Sequence, residues 1–548
     1  MPGTTQPTGS TRFLAWRPLQ RSTRLAILLA LLATASYQMF LLDPSHRGNT
    51  WLWLAMIAAE LITAAAALGT WWTILAHDDR SESADVTVWR NRLRSTETPP
   101  TIDVFITACG EPVGLIAATV RAARDMQLAH ETFVLDDGDD DELQAVCADL
   151  GVHYLRRGGS LHAKAGNVNA ALARTRGEMV VVFDADHVPD VDFLIQVLPH
   201  FVDPAVAFVQ SPQFYDNRVN IIATGASEAQ RMFYELVCPG KNHFNAAFCV
   251  GTNVMFRRAA LDEIGGIWTG SNSEDIWTSL ELHRRGWRSV YVPQVLSHGL
   301  APEEIEPFLK QQLRWASGGF EILLRGKLFR RSGLTLDQRL QYLFTGLHYT
   351  LSISMLIFMA LPAAYLLFGL SPINVDGWTW ATHYIPYLVM TFLVAILQAG
   401  GLRGSAIVTS IASSWVHARA LVAVLLRRRA TWSATNASGR VGGNLWSVFP
   451  HAVLMTLNAA GIVVGFTVMA DPATTYLSAF WAGLNVLLLG RIVREGLRRG
   501  PATAVDEDHT PLADAPSAEP AAVRTPGPWG TATTTGLRDT ASTSGDLR

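Results

Sequence analysis

Two aspartates one residue apart, Asp184 and Asp186, close an unbroken apolar run in "VVVFDADHVPD", residues 180–190. Like charges a few ångströms apart repel unless one is protonated or something positive lies between them. A divalent cation held by both is the chemistry this spacing offers; the plainer alternative is a polar turn ending a core strand. Two further acidic pairs occur: Asp136 and Asp137 in "LDDG", and Glu274 and Asp275 in "SNSED". The latter pair opens a helical stretch with Ser273 available as cap, and helix-dipole compensation alone would account for Glu274. In "FLKQQLRWASGG", Gln311, Arg314 and Trp315 lie one helical turn apart and can share a face. A guanidinium suits a diphosphate and an indole face suits a pyranose ring. With the acidic clusters, these residues point to a negatively charged, sugar-bearing substrate.

The elements that must position them alternate. "TIDVFITACGEP" reads as a buried strand, a Gly-Glu-Pro turn and a helix from about Val113 to Asp125. "ETFVLDDGDDDEL" repeats the arrangement, and "VHYLRR" and "EMVVVFDAD" add strands separated by helical stretches such as 165–176. Such alternation indicates a mostly parallel sheet covered on both faces. Ligands of such sheets bind at the carboxyl ends of the strands, where the acidic turns after Leu135 and Phe183 fall.

At 548 residues and 49% hydrophobic content, the chain is long enough for several domains and more apolar than most soluble proteins. Apolar runs at 25–42 and 51–75 precede the α/β region, and runs near 343–370, 384–402, 448–469 and 475–492 follow it. Each approaches the roughly 20 residues of a membrane-spanning helix, so six spans are expected. Arg12, Arg17, Arg21 and Arg24 before the first span, Arg90, Arg92 and Arg94 after the second, and arginines 419–440 and 491–499 place the N-terminus and the α/β domain in the cytoplasm. Residues 326–342 should lie along the inner surface, and Glu60, mid-span, should face a bundle interior or aqueous cavity. The basic residues follow the membrane faces and form no nucleic-acid stripe. Cys109, Cys147, Cys238 and Cys249 all lie in the cytoplasmic region, show no CxxC spacing and are expected to be reduced. From about residue 500 the composition predicts disorder.

The ordered set "LDDG", "HAKAGNVN", "FDAD", "FCVGTN", "SED" and "QQLRW" resembles processive, membrane-embedded inverting glycosyltransferases of family 2, of the bacterial cellulose synthase and β-glucan synthase type. The resemblance runs from about 103 to 324, and the helices extend it to about 495. It implies a GT-A-like cytoplasmic domain at 100–325 inserted in the bundle, a nucleotide-sugar donor, a growing polysaccharide, a plasma-membrane location and an extracytoplasmic accessory subunit as a possible partner. Asp136, Asp137 and Lys164 would serve the nucleotide, Asp184 and Asp186 would bind Mg2+ or Mn2+ on the diphosphate, and Gln311 and Arg314 would contact that diphosphate. Asp275 would be the general base. Trp315, Gly251, Thr252 and Glu274 would meet the acceptor, and Trp432 and Thr435 would belong to a gating loop within 403–445.

The chain departs from that pattern in places. Ser273 replaces a usual Thr, Cys109-Gly110-Glu111 stands where a Tyr-Asn-Glu turn is common, and Ala437 replaces the gating-loop Lys. The tail at 500–548 resembles no cyclic-di-GMP-binding barrel. The expected activity is β-glucan synthesis from UDP-glucose with export. Alternatives are UDP-N-acetylglucosamine or GDP-mannose as donor, a β-1,3 or mixed linkage, a non-processive glycolipid transferase, or a transporter or receptor with a degenerate domain.

Overall fold

A computed structural model of the chain describes residues 21–76, 83–95, 98–330, 333–428, 445–469 and 471–498. The gating-loop candidates Trp432 and Thr435, and the tail from residue 499, lie outside them.

The α/β domain is built on strands β1 (Ile102–Ala108), β2 (Glu131–Asp136), β3 (His153–Arg156), β4 (Met179–Asp184), β5 (Val188–Pro189), β6 (Val206–Gln210), β7 (Phe214–Tyr215), β8 (Val254–Arg257), β9 (Arg288–Tyr291) and β10 (Ser297–Gly299). Seven form one sheet in the order β3-β2-β1-β4-β8-β6-β9, and β5-β10-β7 form a second. In the large sheet only β8 is reversed, pairing antiparallel with β4 and β6. β4 is apolar up to its last residue, Asp184, because both its faces are covered. Met179, Val181 and Phe183 join one core with Val104 and Ile106 of β1, while Val180 and Val182 join the opposite core with Phe105 and Phe256.

β1 is flanked by β2 on one side and β4 on the other, so the chain order reverses at β1. Ala108 pairs with Asp136, and Thr107 with Asp184. The two acidic strand ends therefore straddle β1 at one edge, a topological switch point of the kind where such sheets bind ligands.

Among the described residues seven helices are long and apolar enough to cross a membrane, one more than the expected six. The additional one, Gly404–Leu425, has 56% of its most apolar stretch buried inside the protein. It packs on the helices Ile221–Met232 and Ile305–Arg325 of the α/β domain, and Ser405 Oγ donates to the buried Glu228 at 2.6 Å. Protein rather than lipid covers much of its apolar surface, so composition alone does not make it a span.

The stretch expected as an interfacial helix, 326–342, starts its helix only at Leu336. There Thr335 and Gln338 cap each other reciprocally, and the apolar stretch then continues from Leu336 to Phe368. Glu60 is turned inward: Tyr387 donates its hydroxyl to the carboxylate at 3.1 Å, and Tyr37 stacks on Tyr387 with ring centroids 4.9 Å apart.

Candidate active site

A cleft opens at the carboxyl edge of β1, β2 and β4. Its lining includes Asp137, Lys164, Asp184, Asp186, Gly251, Glu274, Asp275, Gln311, Arg314 and Trp315. Elements far apart in sequence therefore deliver the expected acidic, basic and aromatic residues to one place.

Asp184 ends β4. Its backbone N–H donates to the buried Thr252 hydroxyl at 2.9 Å, and its carboxylate accepts from Lys164 Nζ. The same ammonium donates to the Gly251 carbonyl at 2.7 Å. Burial alone would push the Asp184 carboxyl up, but Lys164 and His187 hold it below the ordinary carboxylate value. Burial likewise works against the Lys164 charge, and Asp184 and Glu274 keep its pKa above that of a free lysine.

Asp184, Asp186 and His187 form a cluster whose donor atoms lie within 4.8 Å of one another. The two carboxylates suit Mg2+ or Mn2+; His187 holds Asp186 through Nδ1, 2.9 Å from Oδ1, and its Nε2 is buried without a hydrogen-bond partner. The donor set fits a divalent metal. His187 extends the expected Asp184–Asp186 pair, and its adjacency in "FDADH" was the available signal.

Lys164 reaches the cleft from a strained turn. His162 and Ala163, at the start of the helix Ala163–Leu172, have φ of 62° and 44°, conformations that cost non-glycine residues energy and recur at functional sites. Arg157 holds this turn, donating to the carbonyls of Leu161 and Ala163 at 2.8 Å each. Its guanidinium also makes a two-point pair with Asp137, at 2.5 and 2.6 Å.

Asp136 is 1% exposed, and the Asp137 side chain, paired with Arg157, is only 4% exposed. The Asp136 carboxylate accepts from the N–H groups of Gly138 and Asp140 at 2.6 and 2.9 Å and from the Tyr154 hydroxyl at 2.6 Å. It is absent from the cleft lining, so the expectation that it holds the nucleotide is corrected: it shapes the turn that presents Asp137. Thr252, expected at the acceptor, is likewise wholly buried and lies behind Asp184 rather than in the cleft.

On the opposite wall, Glu274 and Asp275 open the helix Glu274–Arg284. Gly251 has φ of +86°, and a Cβ there would sit 3.6 Å from Lys164 Nζ, 3.7 Å from Glu274 Oε1 and 3.8 Å from Asp275 Oδ2. All three side chains thus converge on one glycine. Burial raises the Glu274 carboxyl, with Asp275 adding to the shift. Burial also raises Asp275, although the Ile276 N–H, donating to it at 2.8 Å, and Arg314 oppose the shift. A carboxylate with a raised pKa is a stronger proton acceptor.

Gln311, Arg314 and Trp315 come from one face of the helix Ile305–Arg325, and Gln311 Oε1 is buried without a partner. Glu111, from the turn after β1, and Gln213 and Tyr215, which no sequence signal marks, also line the cleft. The short β7 strand that brings Tyr215 carries no periodicity that marks it in advance.

Residues 179–397 match the family described as Glycosyl transferase family group 2. A UDP-forming cellulose synthase catalytic subunit of Pseudomonas fluorescens (strain SBW25) is 29% identical over 503 residues, covering 86% of this chain and 66% of that one. A UDP-forming cellulose synthase catalytic subunit of Xanthomonas axonopodis pv. citri (strain 306) is 36% identical over 260 residues, 46% of this chain and 36% of that one. The chain thus spans less than two thirds of the length of these relatives. Among solved structures, a mannosyltransferase from Pyrobaculum calidifontis in complex with GDP-Man and Mn2+ superposes with a TM-score of 0.50 at 18% identity, covering 69% of this chain and 100% of that one. That likeness carries the GT-A-like fold.

Proposed function

We propose that this chain, a family 2 glycosyltransferase of the cellulose synthase type, elongates a β-glucan from UDP-glucose and passes the polymer through its own membrane helices. The observation that carries the reading is the convergence of Lys164, Glu274 and Asp275 on Gly251, across from Asp184 and Asp186 and beside the Gln311–Arg314–Trp315 face.

In this reading the terminal sugar of the acceptor stacks on Trp315 and its hydroxyl meets Asp275. The Asp275 carboxylate takes the hydroxyl proton as the oxygen attacks the anomeric carbon of the donor. The bond from that carbon to the diphosphate breaks, the new glycosidic bond forms with inversion, and UDP leaves. Arg314 and Lys164 offset the charge that develops on the departing diphosphate. Asp184, Asp186 and His187 would hold a divalent cation, which would supply Lewis-acid stabilisation of the leaving group's charge. Asp137, fixed by Arg157, serves the nucleotide end. Trp315 favours a processive enzyme, because an aromatic platform beside the base can retain the polymer end between transfers.

The reading puts the α/β domain on the cytoplasmic side of the plasma membrane, and the arginine distribution supports it. It also leaves room for an extracytoplasmic subunit that receives the polymer.

The test uses inverted membrane vesicles with labelled UDP-glucose, UDP-N-acetylglucosamine and GDP-mannose, with and without Mg2+ or Mn2+, followed by digestion with linkage-specific glucanases. Metal-dependent polymer made from UDP-glucose and degraded by a β-1,4-glucanase supports the proposal. Polymer from another donor alone, or full activity in Asp275→Asn, would overturn it.

A further inference from the structure

Beside the cluster of Asp184, Asp186 and His187 lies the small sheet β5-β10-β7, and its middle strand carries His298. Each ring nitrogen of His298 meets a carboxylate that follows one of the flanking strands. Nδ1 is 2.7 Å from Oδ2 of Asp216, just past β7, and Nε2 is 3.4 Å from Oδ1 of Asp190, just past β5. An imidazole can donate from both nitrogens only as the imidazolium. The bonds to Asp190 and then Asp216 push the His298 pKa up to about 9, so the ring carries its charge at neutral pH. The Phe214 ring packs edge-on against it, with centroids 5.8 Å apart.

The strands that His298 joins also enclose His187. β5 begins at the residue after His187, and β10 brings Gly299 so close that a Cβ there would lie 2.5 Å from His187 Nε2. Tyr215 of β7 pairs with Gly299, and its ring lies 6.2 Å from that of His187. A change in strand spacing would therefore move the imidazole that faces the cleft.

We propose that His298 is a positioning residue: by bridging Asp190 and Asp216 it clamps the small sheet and so sets the place of His187 in the divalent-cation site. The inference rests on the reading of Asp184, Asp186 and His187 as that site, and adds a determinant of its affinity from outside the cleft.

The experiment is direct Mn2+ titration of the full chain in detergent, without donor, read by the loss of the free-ion electron paramagnetic resonance signal. Wild type is compared with Asp186→Asn, His298→Gln, His298→Arg and Asp216→Asn. Asp186→Asn is expected to lose binding. His298→Gln and Asp216→Asn should weaken it about tenfold or more, the usual effect of removing a partner that orients a metal ligand. His298→Arg should recover much of the loss, because a guanidinium can also reach two carboxylates.

If Asp186→Asn loses Mn2+ while His298→Gln and Asp216→Asn bind it as wild type does, the metal site stands and the clamp is wrong. Wild-type binding by Asp186→Asn removes both. Should His298→Gln fail to fold, Asp216→Asn carries the same comparison, since its side chain is 54% exposed.

Discussion

The Lys164 ammonium donates both to the Asp184 carboxylate and, at 2.7 Å, to the Gly251 carbonyl. One cation therefore ties the strand end that carries the acidic pair to the loop that faces Glu274 and Asp275. Lys164→Met would leave Asp184, whose side chain is 35% exposed, without its nearest cation and remove positive charge from the path of the leaving diphosphate. Turnover, followed as UDP release, should fall by about 100-fold, the scale for losing one electrostatic stabiliser. A rate near wild type would remove Lys164 from the mechanism.

The base should announce itself in the pH profile. Burial raises both Asp275 and Glu274, and Asp275 must be deprotonated to accept the hydroxyl proton. Activity should therefore be lost as pH falls, with the acid limb above the ordinary carboxylate range of about 4. Stability should run the other way. Carboxyls whose folded pKa lies above the unfolded value favour the fold when protonated, and that contribution is lost as pH rises through the raised pKa. Paired measurements of UDP release and melting temperature between pH 4 and 8 test both signs.

Arg157 grips Asp137 through two parallel bonds and two carbonyls of the Lys164 turn. Lysine keeps the charge but not the planar fork. Arg157→Lys should therefore loosen both the nucleotide end of the cleft and the Lys164 turn, raising KM for the donor and lowering kcat together. A change in neither parameter would show that the turn holds its shape unaided.

Away from the cleft, Arg258 donates to Asp103 at 2.6 Å, to Thr175 Oγ at 2.8 Å and to the Leu172 carbonyl at 2.9 Å. The paired side chains are only 12% and 5% exposed. Arg258→Ala would strand a buried carboxylate at the start of β1, a loss of about 3–5 kcal/mol. Thermal unfolding in detergent should report it, whereas removing the exposed Arg124–Asp125 pair, with side chains 41% and 59% exposed, should cost under about 1 kcal/mol.

The apolar run at β4, the alternation of strands and helices, and the acidic turns after Leu135 and Phe183 were legible from sequence. Their cause is local: a strand covered on both faces must be apolar along its length, and charge must wait for the strand end. The long apolar helices were legible for the same reason. What sequence could not decide is which neighbour each residue meets. Asp136 and Asp137 are adjacent and identical in type, yet the turn directs one carboxylate to Tyr154 and two backbone N–H groups and the other to Arg157 at the cleft wall. Gly404–Leu425 has the composition of a span, but tertiary packing covers it with the Ile305–Arg325 helix. His187 and His298 lie more than a hundred residues apart, the first just before and the second within a small sheet whose strands are too short to carry a period. Periodicity reports whether a side chain is covered, whereas partnership depends on long-range register, and only the folded chain sets that.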